Sequence, residues 1–191
     1  MYELIILSLL MRGTRHGYVI AGVINDVVGP FARASNGRIY PLLTRFEEDG
    51  LVTVHEELAS EGGRVSRTFA ITAAGRARFR QLMADTTSSP REYRDVFAFK
   101  VTAFDQLDPG DRIPILEHYV EFARAHVRHL TAQYKDIADR ATSYGFSEGE
   151  RGRFASVFGH LLEVWQREAE WAAAMLDDER AGRRPRKRRA R

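Results

Sequence analysis

The sequence predicts a mainly α-helical chain with one small β-hairpin: a head of three helices and a hairpin, followed by a coiled-coil-like helical domain. Three observations carry the prediction. Residues 36 to 49 place Ile39, Leu42, Leu43 and Phe46 at helical spacing and stop at Gly50. Leu51-Val52-Thr53-Val54-His55 and Arg67-Thr68-Phe69-Ala70-Ile71 are β-rich runs separated by polar residues with Gly62-Gly63 as turn chemistry. Finally, Ile113, Leu116, Val120, Ala123, Val127, Leu130, Tyr134, Ile137 and Ala141 alternate steps of three and four. Phe154, Phe158, Leu161, Trp165, Glu168, Ala172 and Met175 repeat the alternation, broken only by Glu168.

Taken in order, the first element is the run Leu4 to Met11, apolar almost all the way round a helix, which predicts burial on two sides, the second against a partner subunit. Gly13 ends it and Thr14 is placed to cap the next helix. That helix carries Tyr18, Ile20, Ala21, Val23, Ile24 and Val27 on its apolar face and closes at Gly29-Pro30. The third helix has Ser35 or Asn36 as its cap, and Pro41, lacking an N–H, belongs near its start. After the hairpin, Thr72 caps a fourth helix through Ala77, Phe79, Leu82 and Met83. Residues 86 to 90 read as the domain boundary, with Ser89-Pro90-Arg91-Glu92 as a capping box. A helix to about Phe104 carries Val96, Phe97, Phe99 and Val101. The two long helices meet at a turn over 142 to 146, and Ser147-Glu148-Gly149-Glu150 caps the second, so they should pack antiparallel. The domains are thus 1–86, 90–180 and a basic tail, 181–191, read as disordered.

Charge follows that division. Residues 1 to 84 balance at +2, residues 85 to 181 at −6, and the last ten residues hold seven basic side chains and no acid. The net +3 is a tail effect, and the acidic middle is a poor partner for nucleic acid. Without cysteine the chain has no disulfide, thiolate metal site or cysteine nucleophile. The apolar opening is too short to span a bilayer and lacks a signal-peptide pattern, which reads as a soluble cytoplasmic protein that does not engage a membrane. No Gly-x-Ser-x-Gly elbow, phosphate loop, dinucleotide glycine pattern or His-Glu-x-x-His is present, so neither catalysis nor a cofactor is expected.

Opposite the apolar face of the third helix lie Gly37, Tyr40, Pro41 and Thr44, flanked by Arg38 and Arg45. Guanidinium and hydroxyl groups in that arrangement suit phosphates and base edges. Helix, helix, helix, hairpin is the winged helix-turn-helix order, and the predicted DNA-binding set is Ser35, Asn36, Arg38, Tyr40, Pro41, Thr44 and Arg45, with Arg64 and Arg67 on the wing. The tail is placed to add nonspecific attraction to DNA. Phe97, Phe99, Trp165 and Trp171 have two readings, helix core or a flat pocket for an aromatic effector. His118, His126 and His129 are read as solvated or interface histidines rather than a metal site.

Residues 3 to 80 resemble the PadR family of transcriptional regulators, in the branch with a long helical, virulence-activator-like C-terminal domain. The resemblance rests on His16-Gly17-Tyr18, Gly37-Arg38-Ile39-Tyr40-Pro41-Leu42-Leu43, Glu47-Glu48-Asp49-Gly50-Leu51-Val52, Glu61-Gly62-Gly63-Arg64 and Thr72-Ala73-Ala74-Gly75. Where family members often carry Arg-Lys-Tyr-Tyr after the wing, this chain has Ser66-Arg67-Thr68-Phe69, one basic contact fewer. The resemblance implies a homodimeric repressor, less often an activator, on a pseudo-palindromic operator, held together by the first helix, the fourth helix and the C-terminal helices. It also implies release by an effector such as a phenolic acid or drug-like aromatic. Two other classes stay open: a winged-helix protein-interaction adaptor, and a small-molecule carrier or enzyme built on the helical half.

Overall fold

The computed structural model describes residues 1–28, 36–58, 65–87, 92–140 and 145–182. Expectations for Gly29-Pro30, Ser35, Gly62-Gly63, Arg64, the turn over 142 to 144, Ala141 and the tail from 183 onward fall outside them, as do Ser89, Pro90 and Arg91 of the expected capping box. The chain forms two compact units, Met1–Leu107 and Asp108–Arg191. The segment after residue 90 therefore divides: its first helix belongs with the head.

The first unit runs α1 (Tyr2–Met11), β1 (Arg15–His16), α2 (Gly17–Val28), α3 (Asn36–Glu48), β2 (Val52–Leu58), β3 (Val65–Ile71), α4 (Ala73–Ala84), α5 (Tyr93–Thr102) and a 3-10 turn, Phe104–Gln106. Its sheet has three antiparallel strands in the order β1-β3-β2 rather than a hairpin alone. The added strand pairs Arg15 with Phe69 and His16 with Thr68, so Thr14 leads into a strand instead of capping α2. β2 and β3 extend further toward the wing than their apolar cores, pairing from Val52↔Ile71 to Leu58↔Val65.

Leu4, Ile5, Ile6, Leu7 and Leu10 of α1 are buried within this single chain, together with Ile20, Ile24, Ile39, Leu43, Phe69, Phe79 and Phe97. Two-sided burial of α1 is thus met by the chain itself and does not call for a partner subunit. Arg78 of α4 makes a paired contact to Glu3 of α1, Nε to Oε1 at 2.7 Å and Nη2 to Oε2 at 3.0 Å. At the other end of α1, Arg12 donates to Asp105 at 2.6 Å and to the carbonyl of Thr102 at 2.8 Å. α4 begins under the Thr72 side chain, which accepts from the N–H of Gly75 at 3.0 Å.

One charge sits in this core. Lys100 is wholly buried, and its Nζ donates to the carbonyl of Asp85, the residue that caps the C-terminal end of α4. A cation there meets the negative end of a helix, yet burial still pushes the ammonium down from 10.5 to about 8. Between those values the unfolded chain holds a proton that the folded chain has released, so stability rises with pH. Buried Tyr93 works the other way: burial pushes it from 10.0 up to about 12, so its contribution is lost above about pH 10. Stability is therefore expected to peak near pH 10, about 2 kcal/mol above its value at pH 7.5. Chemical denaturation at both pH values checks this, and Lys100→Met should remove most of the rise.

The second unit is the helical hairpin α6 (Pro109–Arg140) and α7 (Glu148–Arg180), each about 50 Å long at 1.5 Å per residue. The cross-helix contacts run antiparallel. Arg112 meets Glu179 at 3.1 Å, Tyr119 donates to Glu168 at 2.8 Å, and His126 stacks on Trp165 with ring centroids 4.0 Å apart. Ser147 and Glu150 form the expected capping box. Leu116, Val120, Ala123 and Leu130 of the predicted seam are buried, joined by Ile115, Tyr119 and Leu176, whereas Tyr134, Phe154 and Leu161 are exposed. Bonding by Tyr119 accounts for Glu168 within an apolar row. No described helix is long and apolar enough to cross a membrane.

Candidate nucleic-acid interface

α3 is built from the buried side outward. Ile39, Leu43 and Phe46 are buried, while Tyr40, Pro41, Thr44 and Arg45 are exposed, so the helix presents the polar row expected from its spacing. Pro41 is the sixth residue of an unbroken helix, where its missing N–H removes a single bond, the one to the carbonyl of Gly37. The C-terminal end is closed by Gly50 at φ 68°, with the N–H of Leu51 bonding Phe46 at 2.8 Å and that of Gly50 bonding Glu47 at 3.0 Å. Those two bonds are a Schellman closure and explain Asp49-Gly50-Leu51 in the sequence.

Of the predicted contacts, Asn36 and Arg38 lie in the first turn of α3. The Arg45 side chain is 74% exposed and, among the described residues, holds only a 3.5 Å contact with Asp49 one turn later. An exposed pair of that kind is weak and leaves the guanidinium available to a phosphate. Tyr40 has two roles. It is 37% exposed, yet its ring lies so close to Gly17 that a Cβ there would stand 3.1 Å from both Tyr40 Cε1 and Phe69 Cε2. Gly17 is therefore the bare spot that lets α3 settle on the start of α2, and β1 brings it there by pairing with β3. Arg67 is exposed on β3, opposite Glu56 in the register.

Tyr18 departs from expectation. It is 66% exposed, off the apolar face of α2, and stacks on His16 with centroids 5.4 Å apart. The pair flanks Gly17 in the sequence, and its outward turn is one that helical periodicity could not indicate because tyrosine fits either face. Phe97 is wholly buried and belongs to the core, Phe99 is nearly so, Trp165 is half-buried against His126 and Phe122, and Trp171 is exposed. His126 Nδ1 lies 2.9 Å from the carbonyl of Phe122. Among the described residues no group of three metal-ligating side chains forms.

A winged-helix head with an exposed polar row on its third helix has the layout of the helix-turn-helix DNA-binding class. Residues 6–81 match the Transcriptional regulator PadR-like family, so the head of this chain carries a PadR-like domain. The negative transcriptional regulator PadR of Bacillus subtilis (strain 168) is 22% identical over 172 residues, 90% of this chain and 93% of that one. Among solved structures, Bacillus subtilis PadR in complex with operator DNA is 19% identical, covering 92% of this chain and 96% of that chain, with a TM-score of 0.42. Its complex with p-coumaric acid is 20% identical over 93% and 94% of the two chains, with a TM-score of 0.40. The Vibrio cholerae virulence activator AphA is 26% identical over 95% and 99%, with a TM-score of 0.36.

Proposed function

We propose that this chain is a homodimeric repressor whose α3 enters the major groove of a pseudo-palindromic operator. The observation that carries the reading is the exposed row Tyr40, Pro41, Thr44 and Arg45, set on a helix whose opposite face is locked into the head. Ser35, Asn36 and Arg38 complete the contact set by their place in the sequence, and Arg64 and Arg67 contact the backbone from the wing. A small-molecule effector releases the complex. A gel shift with the DNA upstream of the chain's own coding region tests this. A sequence-preferring complex at moderate salt is expected, and binding that is absent even at low salt would favour the adaptor reading instead.

The dimer is supported by α7. Phe154, Val157, Leu161 and Val164 follow one another in steps of three and four, Trp171 continues the row a heptad later, and Phe154, Val157, Leu161 and Trp171 are exposed. A row of that length on a coiled-coil spacing suits a second copy of the same helix. Leu161→Asp is expected to convert a dimer into the 21.8 kDa monomer in light scattering, with helicity retained. A dimer that survives this change would move the interface elsewhere. Because each half-site then meets a single head, the monomer should bind operator far more weakly than the parent.

A further inference from the structure

We infer that the cleft between α1, α2 and α5 is a binding site for a small aromatic cation. The cleft holds about 860 Å³, within the range of ligand sites, and lies wholly in the first unit. Its walls are apolar, from Leu9 of α1, Val23 of α2, and Ala98 and Phe99 of α5. Two features point to a ligand. Ser8, which also lines the cleft, is completely buried, and its Oγ has no hydrogen-bond partner. A buried hydroxyl left unsatisfied is costly, and a bound polar group would relieve it. The second feature is the sign of the charge. Arg12 at one edge is already committed to Asp105 and to the carbonyl of Thr102. Glu92 and Asp95 at the rim have no ion-pair partner among the described residues. An apolar slot with a spare hydroxyl inside and two carboxylates at its mouth selects a flat ring bearing an ammonium group over one bearing a carboxylate.

The inference rests on the effector reading above and gives it a place and a ligand class, because α1 and α2 belong to the head that positions α3. Matched probes test it on the full chain. Tyramine and 3-(4-hydroxyphenyl)propanoate share a phenol ring and differ in the sign of the terminal charge. By calorimetric titration the amine is expected to bind at least about tenfold more tightly than the acid. Ser8→Ala should weaken the amine roughly three- to tenfold while raising the melting temperature of the unliganded protein, since it deletes an unsatisfied hydroxyl. Asp95→Asn should erase part of the preference for the amine. Preference for the acid, or amine binding unchanged by Ser8→Ala, overturns the assignment. So does absence of binding by both probes, and loss of the dimer in Ala98→Arg would then give the cleft to a second copy. Release of DNA is read separately by gel shift. Amine binding without release refutes the effector reading and leaves the site standing.

Discussion

A chain carrying Arg38→Ala and Arg45→Ala together is expected to lose operator affinity by about a hundredfold or more at moderate salt, while melting at the temperature of the parent. Loss of one good contact to a base edge costs about 1–3 kcal/mol, and loss of a phosphate contact also lowers the salt dependence. Both residues lie on α3, and among the described residues Arg45 has no partner stronger than its exposed contact to Asp49, so stability has little to lose. Fluorescence anisotropy with labelled operator, run at two salt concentrations, separates the outcomes. Parent-like affinity for the double variant would remove α3 from the reading of DNA. A uniform loss across operator and random DNA, with a reduced salt slope, would reassign the two arginines from bases to backbone.

Gly75→Val is expected to be the most damaging single change in the head, destabilising it by about 3 kcal/mol or more. Even a Cβ at this position would lie 2.2 Å from the carbonyl oxygen of Leu51 and 2.7 Å from Ile71 Cγ1. The first is backbone and cannot swing aside, so α4 would have to lift from the start of β2. Thermal or urea unfolding measures the loss. Gly75→Ala should already show much of it, because the clash begins at Cβ. A valine variant that melts within a degree or two of the parent would contradict the close approach.

The contrast between these two sites explains how much was legible beforehand. The inward face of α3, its Gly50 stop, the Ser147–Glu150 cap and the antiparallel hairpin were readable because each is a local pattern: a period, a turn residue, a cap at fixed spacing. β1 was not, since two residues have no period and become a strand only by pairing with β3, some fifty residues later. Tyr18 and Lys100 defeated periodicity for opposite reasons. One is an aromatic turned outward, and the other is a charge drawn inward to the end of α4. The seam of α7 was found one position off in places, because the helix carries two neighbouring apolar rows and a spacing of three and four fits both. In the candidate site, spacing exposed the row on α3, whereas the role of Gly17 under Tyr40 needed two elements brought together from separate parts of the chain.

Leu51 ties several of these parts into one joint. Its N–H closes α3, its carbonyl accepts from the N–H and the hydroxyl of Thr72, both at 3.0 Å, and the same oxygen faces Gly75. The two ends of the β2–β3 ribbon nearest α3 and α4 are therefore fixed in length to the residue. An insertion between 49 and 52, or between 71 and 75, would rotate α3 against the rest of the head. The joint thus acts as a ruler for the head: the number of residues on either side of Leu51, more than any single side chain, sets where α3 stands.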